Sequence, residues 1–585
     1  MVQLPDITWV QSPESKMVDP SDHLIAIAFR AYDKYSFQES NMYSLQPLDG
    51  RDLTYREYLG IPYAEPPVGD LRFRPPKPLK KKWSGVLDAT KHGPACMQHE
   101  IPLVPPPAKT DEDCLYLDVL TPGNGSNNVS KAVMIWIHAG GYTLRSTRIY
   151  DGAKYGVIGD VVVVMMNYRL DIFGFLSTGD DVVPGNMGLL DQHLAIRWVN
   201  RNIALFGGDP ARITLFGESA GATSVTQQAI APCNKGLFKR VISQSGTIFS
   251  DFAFHGKDML PAVRKTGTLV NCTDANVTKL IECLQRVNPK ALLLASRPPF
   301  DAIDIIYGWN PVVDGKFITR EPADLLRGRA RGPVAKMLRS IDLLIGHNSD
   351  EGYRFIQFYA VFQHPNFELW NPSWNEVSIV LPVMEKFLKI VAAKYGDETV
   401  AETIYETLAL AYFGIHKGAK FNGERLAQIA NEIINDRWFL IPALQFANLH
   451  AGLGGRTFKY HFIYRPSTAM HPSWVKGADH NAEFVLQFGS FPDDPIDQLV
   501  ACTMITYWSN FAKTGNPNEP AANPALSAYW PPFTKEKSQN LEISANTAPS
   551  QPGEIIKPDR VHFWTEFLPK ITATAKCGAK KTKKI

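Results

Sequence analysis

"LFGESAGATS" (residues 215–224) sets Ser219 between Gly217 and Gly221, directly after the strand-like run "ITLF" (213–216). A serine so flanked has two readings. In one, the chain turns so tightly from strand to helix that a side chain on either side of the serine would collide with its neighbours, leaving the hydroxyl in the open. In the other, the spacing is an accident, which Gly-x-Ser-x-Gly achieves in roughly one chain in five of this length at average usage. The pentapeptide does not choose between them, so the choice falls to the rest of the chain.

Outward from the serine, short Val- and Ile-rich runs alternate with helical stretches. "KAVMIWIHAGG" (131–141) and "GDVVVVMMNYR" (159–169) are continuous apolar runs bounded by Gly or charge, the pattern of strands buried on both faces. "GLLDQHLAIRWVNRNIALFGG" (188–208) has apolar residues at helical spacing and stops at Gly207-Gly208. A strand over 213–217 and a helix to about 231 enclose Ser219, and "KRVISQSG" (239–246), "IDLLIGHN" (341–348) and "TFKYHFIY" (457–464) are further strands. This alternation predicts an α/β fold, a mostly parallel sheet with helices on both faces. The largely helical stretch between about 353 and 450 reads as an insertion, the usual place for a lid or pocket wall.

In such a sheet, ligand chemistry sits at the carboxyl ends of the strands. Three reactive residues fall there. Ser219 follows 213–217. Glu351, in "GHNSDEGYRF" (346–355), follows the 341–346 run, with Asp350 as its rival. His480, in "WVKGADHNAEF" (474–484), lies beyond 457–464, with His471 in "MHPSW" as the competitor. Singly each is weak: a capping serine, an acidic turn before a glycine, and one of 14 histidines. Together they give serine, acid, histidine, the chain order of the α/β-hydrolase triad. A fourth element is independent of these. "IWIHAGGY" (135–142) places Gly140 and Gly141 after a strand upstream of the serine, where bare backbone can aim N–H groups at an oxyanion beside the N–H of Ala220.

Bulk properties narrow the class. The 585 residues are 45% hydrophobic and 20% charged, as in a globular protein, and no linker or repeat divides them. One large domain is expected over 57–570, after a divergent segment 1–56 and before a basic tail 571–585. A net charge of +3 argues against a nucleic-acid surface, and no apolar run approaches the ~20 residues that a membrane span needs. Zinc-type Cys–His spacings and a phosphate-binding glycine loop are missing, so neither a metal nor another cofactor is expected.

Among the seven cysteines, Cys96 and Cys114 are close in sequence, as are Cys272 and Cys283, which suits two short disulfide loops without proving any pairing. Glycosylation sequons begin at Asn124, Asn128, Asn271 and Asn276. Cysteines and sequons together predict an oxidising, glycosylating compartment, secreted or in the endoplasmic reticulum lumen. "MVQLPDITWVQSPESK" lacks a signal peptide's apolar core, so the expectation is an incomplete or divergent start. Cys233, Cys502 and Cys577 are left over, and Cys577 is the candidate for a bridge between two copies of the chain.

From about residue 57 to 570 the chain resembles the type-B carboxylesterase/lipase family, the cholinesterase-like branch of the α/β-hydrolase fold. The motifs are "EYLGIPYAEPPVGDLRFRPP" (57–76), "EDCLYLDV" (112–119), "NYRLDIFGFLSTGD" (167–180), "GNMGLLDQHLAIRWVNRNIALFGGDP" (185–210), "FGESAGA" (216–222), "PVVDGKFI" (311–318) and "YWSNFAKTGNPN" (507–518). Within the family, "GADH" (477–480) and "STGDDVVPGN" (177–186) most resemble the bile-salt-activated lipases, though those lipases' Pro-rich C-terminal repeats are not seen in this sequence. The resemblance implies Ser219 as nucleophile, Glu351 rather than Asp350 as acid, His480 as base, and Gly140, Gly141 and Ala220 as oxyanion donors. It further implies the pairs Cys96–Cys114 and Cys272–Cys283 and an aromatic acyl wall at Phe252. The implied reaction is hydrolysis of a small-molecule carboxylester through an acyl-enzyme. A non-catalytic adhesion or binding protein on the same fold is the alternative. Cholinesterases hold choline over a tryptophan in the first disulfide loop; between Cys96 and Cys114 this chain has no Trp, Tyr or Phe, so that activity is not expected.

Overall fold

A computed structural model of the chain describes residues 36–582, apart from 39, 46–52, 81–84, 101–106, 108, 124–129, 255–257, 298–307, 328–331, 364–376, 394, 414–420, 489–493 and 521–527. Eleven strands form its main sheet. They are β1 (Ser40–Leu45), β2 (Leu53–Pro62), β3 (Tyr116–Pro122), β4 (Lys131–Ile137), β5 (Val162–Met166), β6 (Gly208–Glu218), β7 (Arg240–Gln244), β8 (Asp342–Asn348), β9 (Thr457–Phe462), β10 (Leu541–Ile543) and β11 (Ala548–Pro549). Their spatial order is β11-β10-β9-β8-β7-β6-β4-β5-β3-β2-β1. From β5 through β10 every pairing is parallel, while the two margins are antiparallel. The chain therefore has the α/β-hydrolase fold.

The period-2 alternation of each strand splits the core. Val133, Ile135, Leu215, Val241, Leu343 and Ile345 join one buried cluster. Their neighbours Met134, Trp136, Phe216, Ile242 and Leu344 join another on the opposite face. Helices α1 (Met187–Asn202) and α2 (Ala220–Ile230) cover the first face through Leu189, Ile196, Val199 and Val225. Burying each such side chain contributes about 1.5–3 kcal/mol, which is why apolar runs without polar alternation predict strands covered on both sides.

The helical insertion comprises α3 (Gly352–Gln363), α4 (Val377–Ala393), α5 (Glu398–Phe413), α6 (Gly423–Ile434) and α7 (Ile441–Gly452), with a π-helical turn at Asn435–Leu440. It has a core of its own, into which Phe252 also packs. Helix α8 (Ala482–Phe488) follows the His480 loop, and α9 (Pro495–Thr514) covers the second face of the sheet through Met504, Trp508 and Phe511.

Two elements cross the boundaries read from the sequence. Strand β2 runs through residues 56 and 57 and, with β1, belongs to the main sheet. Helix α10 (Leu568–Thr582) runs into the basic tail, with Leu568 in the insertion's core and Thr572 buried. Polar, lysine-rich sequence hides such a helix, because only its first turns face apolar partners. The side chain of Cys577 lies outside the described residues, as do Asn124 and Asn128. Asn271 and Asn276 are exposed. Cys96 is bonded to Cys114 and Cys272 to Cys283. Among the described residues, no helix is long and apolar enough to cross a membrane.

Candidate active site

Ser219 sits between β6 and α2 with φ 56° and ψ −120°, a conformation that costs a residue with a side chain about 1–3 kcal/mol. The turn is held by the Ser219 amide, which donates to the Gln244 carbonyl at 2.9 Å, and by the Thr223 amide, which donates to the Ser219 carbonyl at 2.9 Å. The flanking glycines answer the question the sequence raises. A Cβ on Gly217 would lie 2.6 Å from the Gly221 carbonyl carbon and 2.7 Å from the Ile137 oxygen. One on Gly221 would meet the same Ile137 oxygen at 2.0 Å. Backbone on all sides leaves room for hydrogen alone.

The structure brings Ser219, His480 and Glu351 together from three segments. His480 Nε2 is 2.9 Å from Ser219 Oγ, and its Nδ1 is 2.6 Å from Glu351 Oε2. The other Glu351 oxygen accepts from the Asn348 amide at 2.7 Å. Glu351 is fully buried, and Ser219 and His480 are nearly so. The competitors lie elsewhere. Asp350 accepts from Asn431 Nδ2 at 2.9 Å and from the Gly477 amide at 3.0 Å, which ties the acid loop to the loop before the histidine. The His471 ring packs 5.7 Å from that of Tyr353.

Gly140 and Gly141 follow β4 with φ 106° and 60°. The Gly140 carbonyl accepts from the amides of Thr143 and Leu144, closing a turn in which a Cβ on Gly140 would strike the Leu144 oxygen at 2.2 Å. Tyr142 anchors this turn through a hydroxyl contact with Thr223 on α2. Ala220 opens α2, so its amide has no acceptor within the helix and lies at the positive end of the helix dipole.

Several neighbours escape sequence reading. Glu218 Oε1 lies 3.3 Å from His480 Nε2 and accepts from Asn481 Nδ2 at 2.6 Å. Glu483 accepts from Asn348 Nδ2 at 2.5 Å. Burial first, and then the neighbouring carboxylates, push the Glu218 carboxyl well above its ordinary range and together bring Glu483 up to about 7. Burial pushes the His480 imidazole the opposite way, down to about 3, and so keeps it neutral. The rings of Phe355 and Phe439 lie 4.9 and 5.1 Å from that imidazole, and Phe252 packs 5.6 Å from Phe439. The only local signals were position: Glu218 abuts the serine, and Glu483 follows the histidine by three.

A strand-to-helix serine beside an imidazole and a buried carboxylate, on a mostly parallel sheet, defines the α/β-hydrolase class. The carboxylesterase family model matches residues 44–564, and the chain belongs to that family. It is similar to a bile salt-activated lipase of Homo sapiens, 34% identical over 529 residues, covering 87% of this chain and 66% of the lipase. The chain thus spans just under two thirds of that lipase's length. It is also similar to a cocaine esterase of Oryctolagus cuniculus, 33% identical over 545 residues, covering 90% of this chain and 94% of the esterase.

Proposed function

We propose that the chain is a serine carboxylesterase acting through an acyl-enzyme, with Ser219 as nucleophile, His480 as base and Glu351 as the acid that orients it. The observation that carries this reading is the pair of contacts at His480, 2.9 Å to the Ser219 hydroxyl and 2.6 Å to the Glu351 carboxylate. A neutral imidazole with Nδ1–H facing the carboxylate leaves Nε2 free to take the serine proton as Oγ attacks the ester carbonyl. The oxyanion that forms is received by the amides of Gly140, Gly141 and Ala220, each worth about 3 kcal/mol of barrier. Protonated His480 then returns its proton to the departing alcohol, and water activated by the same base cleaves the acyl-enzyme.

The aromatic rings beside the imidazole favour an apolar acyl group. The test is turnover of a short-chain nitrophenyl ester, with and without prior organophosphate treatment. Wild type should turn over and be titrated by one equivalent of inhibitor, whereas Ser219→Ala should not. No turnover above Ser219→Ala would instead favour the non-catalytic binding protein. Comparing short soluble esters with emulsified triglyceride, with and without taurocholate, separates an esterase from a lipase. Two disulfides and exposed sequons at Asn271 and Asn276 support a secreted or lumenal location. Endoglycosidase digestion of the chain from a eukaryotic host should shift its mobility if that is right.

A further inference from the structure

Arg145 stands where the turn bearing Gly140 and Gly141 ends. Its backbone has φ 85°, a left-handed conformation that glycine adopts freely and arginine does not. The residue is held there from both sides. Its amide donates to Gln98 Oε1 at 2.8 Å, and its carbonyl accepts from Gln98 Nε2 at 3.0 Å. Its guanidinium reaches three partners on two other segments: Nη2 donates to Asn481 Oδ1, Nη1 donates to the Tyr150 hydroxyl at 3.3 Å, and the guanidinium carbon lies 5.4 Å from the centre of the Phe484 ring. Asn481 passes the link on, because its Nδ2 donates to Glu218 at 2.6 Å. One side chain thus ties the glycine turn to the residues beside both His480 and Ser219.

We propose that Arg145 is a positioning residue for ester cleavage, clamping the oxyanion turn to the histidine loop through Asn481 and holding a fixed positive charge beside the imidazole. The inference rests on the esterase reading and adds to it. A guanidinium suits the task, since it stays charged and its rigid planar fork sends two separate nitrogens to Tyr150 and Asn481, where an ammonium has a single nitrogen on a flexible stem. The charges around His480 are mixed. Glu351 and Glu218 face it from the ends of β8 and β6, Glu483 and Asp479 flank it on its own segment, and Arg354 approaches from α3. Arg145 and Arg354 oppose protonation of the imidazole, whereas Glu483 and Asp479 favour it. Removing Arg145 therefore makes protonation easier.

Three variants test this on the whole chain. Arg145→Gly relieves the backbone strain and removes both bridge and charge. Its kcat should fall roughly 10- to 100-fold with KM within about threefold, and the acid limb of kcat/KM should move up by roughly 0.5 to 1 in pH. Arg145→Lys keeps the charge without the fork, so the limb should stay in place while kcat falls. Asn481→Ala cuts the bridge from the other side and should lower kcat without moving the limb. Thermal melting checks that each variant is folded. The titration of His480, followed by NMR with nitrogen-15 histidine, needs no turnover and should show the same upward movement in Arg145→Gly alone. Wild-type kcat in Arg145→Gly, or an unmoved titration, overturns the proposal. A wild type that titrates normally but cleaves no ester would sink the esterase reading instead.

Discussion

The carbonyl oxygen of Ile137, at the end of β4, lies 2.0 Å from where a Cβ on Gly221 would stand. The Ser219 turn and the strand leading to Gly140 and Gly141 are therefore packed backbone to backbone, and neither can yield alone. Gly221→Ala should destabilise the chain by about 3 kcal/mol and displace Ser219 from His480. Thermal melting reads the first effect and ester turnover the second. An alanine variant with wild-type melting and activity would mean that the elbow is looser than this contact requires.

The acid limb of kcat/KM should lie below pH ~6.5, the ordinary histidine value. On the proposed mechanism His480 works as neutral imidazole, so activity should be present above its pKa and lost as pH falls through it. Burial lowers that pKa in the folded chain, which moves the loss to more acidic pH. Glu351→Gln should keep the geometry while removing the charge that stabilises the imidazolium, with kcat falling roughly 10³- to 10⁴-fold. Rates measured from pH 4 to 9 check both, and an acid limb above pH 7 in wild type would contradict the buried, neutral base.

Phe252 is almost wholly buried, and its ring packs against Trp438 and Phe439, the latter in contact with His480. Phe252→Ala should open space on that side of the base. The ratio of kcat/KM for branched or aromatic acyl esters to that for the butyrate should rise about tenfold. The cavity should also cost about 3–5 kcal/mol of stability. A chain-length and branching series measures the first, and an unchanged ratio would remove Phe252 from the acyl side.

Much of this was legible because it is local. "VVVVMM" announces a strand buried on both faces, and glycines around Ser219 announce a turn without room. Ser219 directly follows β6 and Glu351 stands just past β8, so strand positions nominate them, whereas His480 lies in a longer loop after β9 and is nominated only by its place in the chain order. Glu218, Glu483, Asn481 and Arg145 were not legible as a group. Glu218 and Asn481 are 263 residues apart in sequence, and nothing in an isolated Glu or Asn reports burial. The strained backbone at Arg145 is equally silent, since the sequence pattern there offers no glycine. The π-helical turn that carries Trp438 and Phe439 toward Phe252 also has no period of its own to detect.

The motifs "NYRLD" and "GLLDQ" meet in one ion pair. Arg169 Nη2 and Nε donate to the two oxygens of Asp191 at 2.7 and 2.8 Å, and the Arg169 amide adds a third bond at 3.0 Å. Both side chains are all but inaccessible, at 3% and 0% exposed. Asp191→Asn keeps the shape but leaves a buried guanidinium without its counter-charge, which should cost about 3–5 kcal/mol. Two residues beyond Arg169, the Asp171 amide donates to the Tyr142 carbonyl at 2.8 Å, so the loss should also loosen the turn bearing Gly140 and Gly141. The expected outcome is a lower melting temperature together with a lower kcat at unchanged KM. Replacing both partners, with Arg169→Met and Asp191→Leu, should recover much of the stability, because no uncompensated charge remains. Recovery of melting without recovery of kcat would identify the turn's anchoring, rather than global stability, as what the ion pair gives to catalysis.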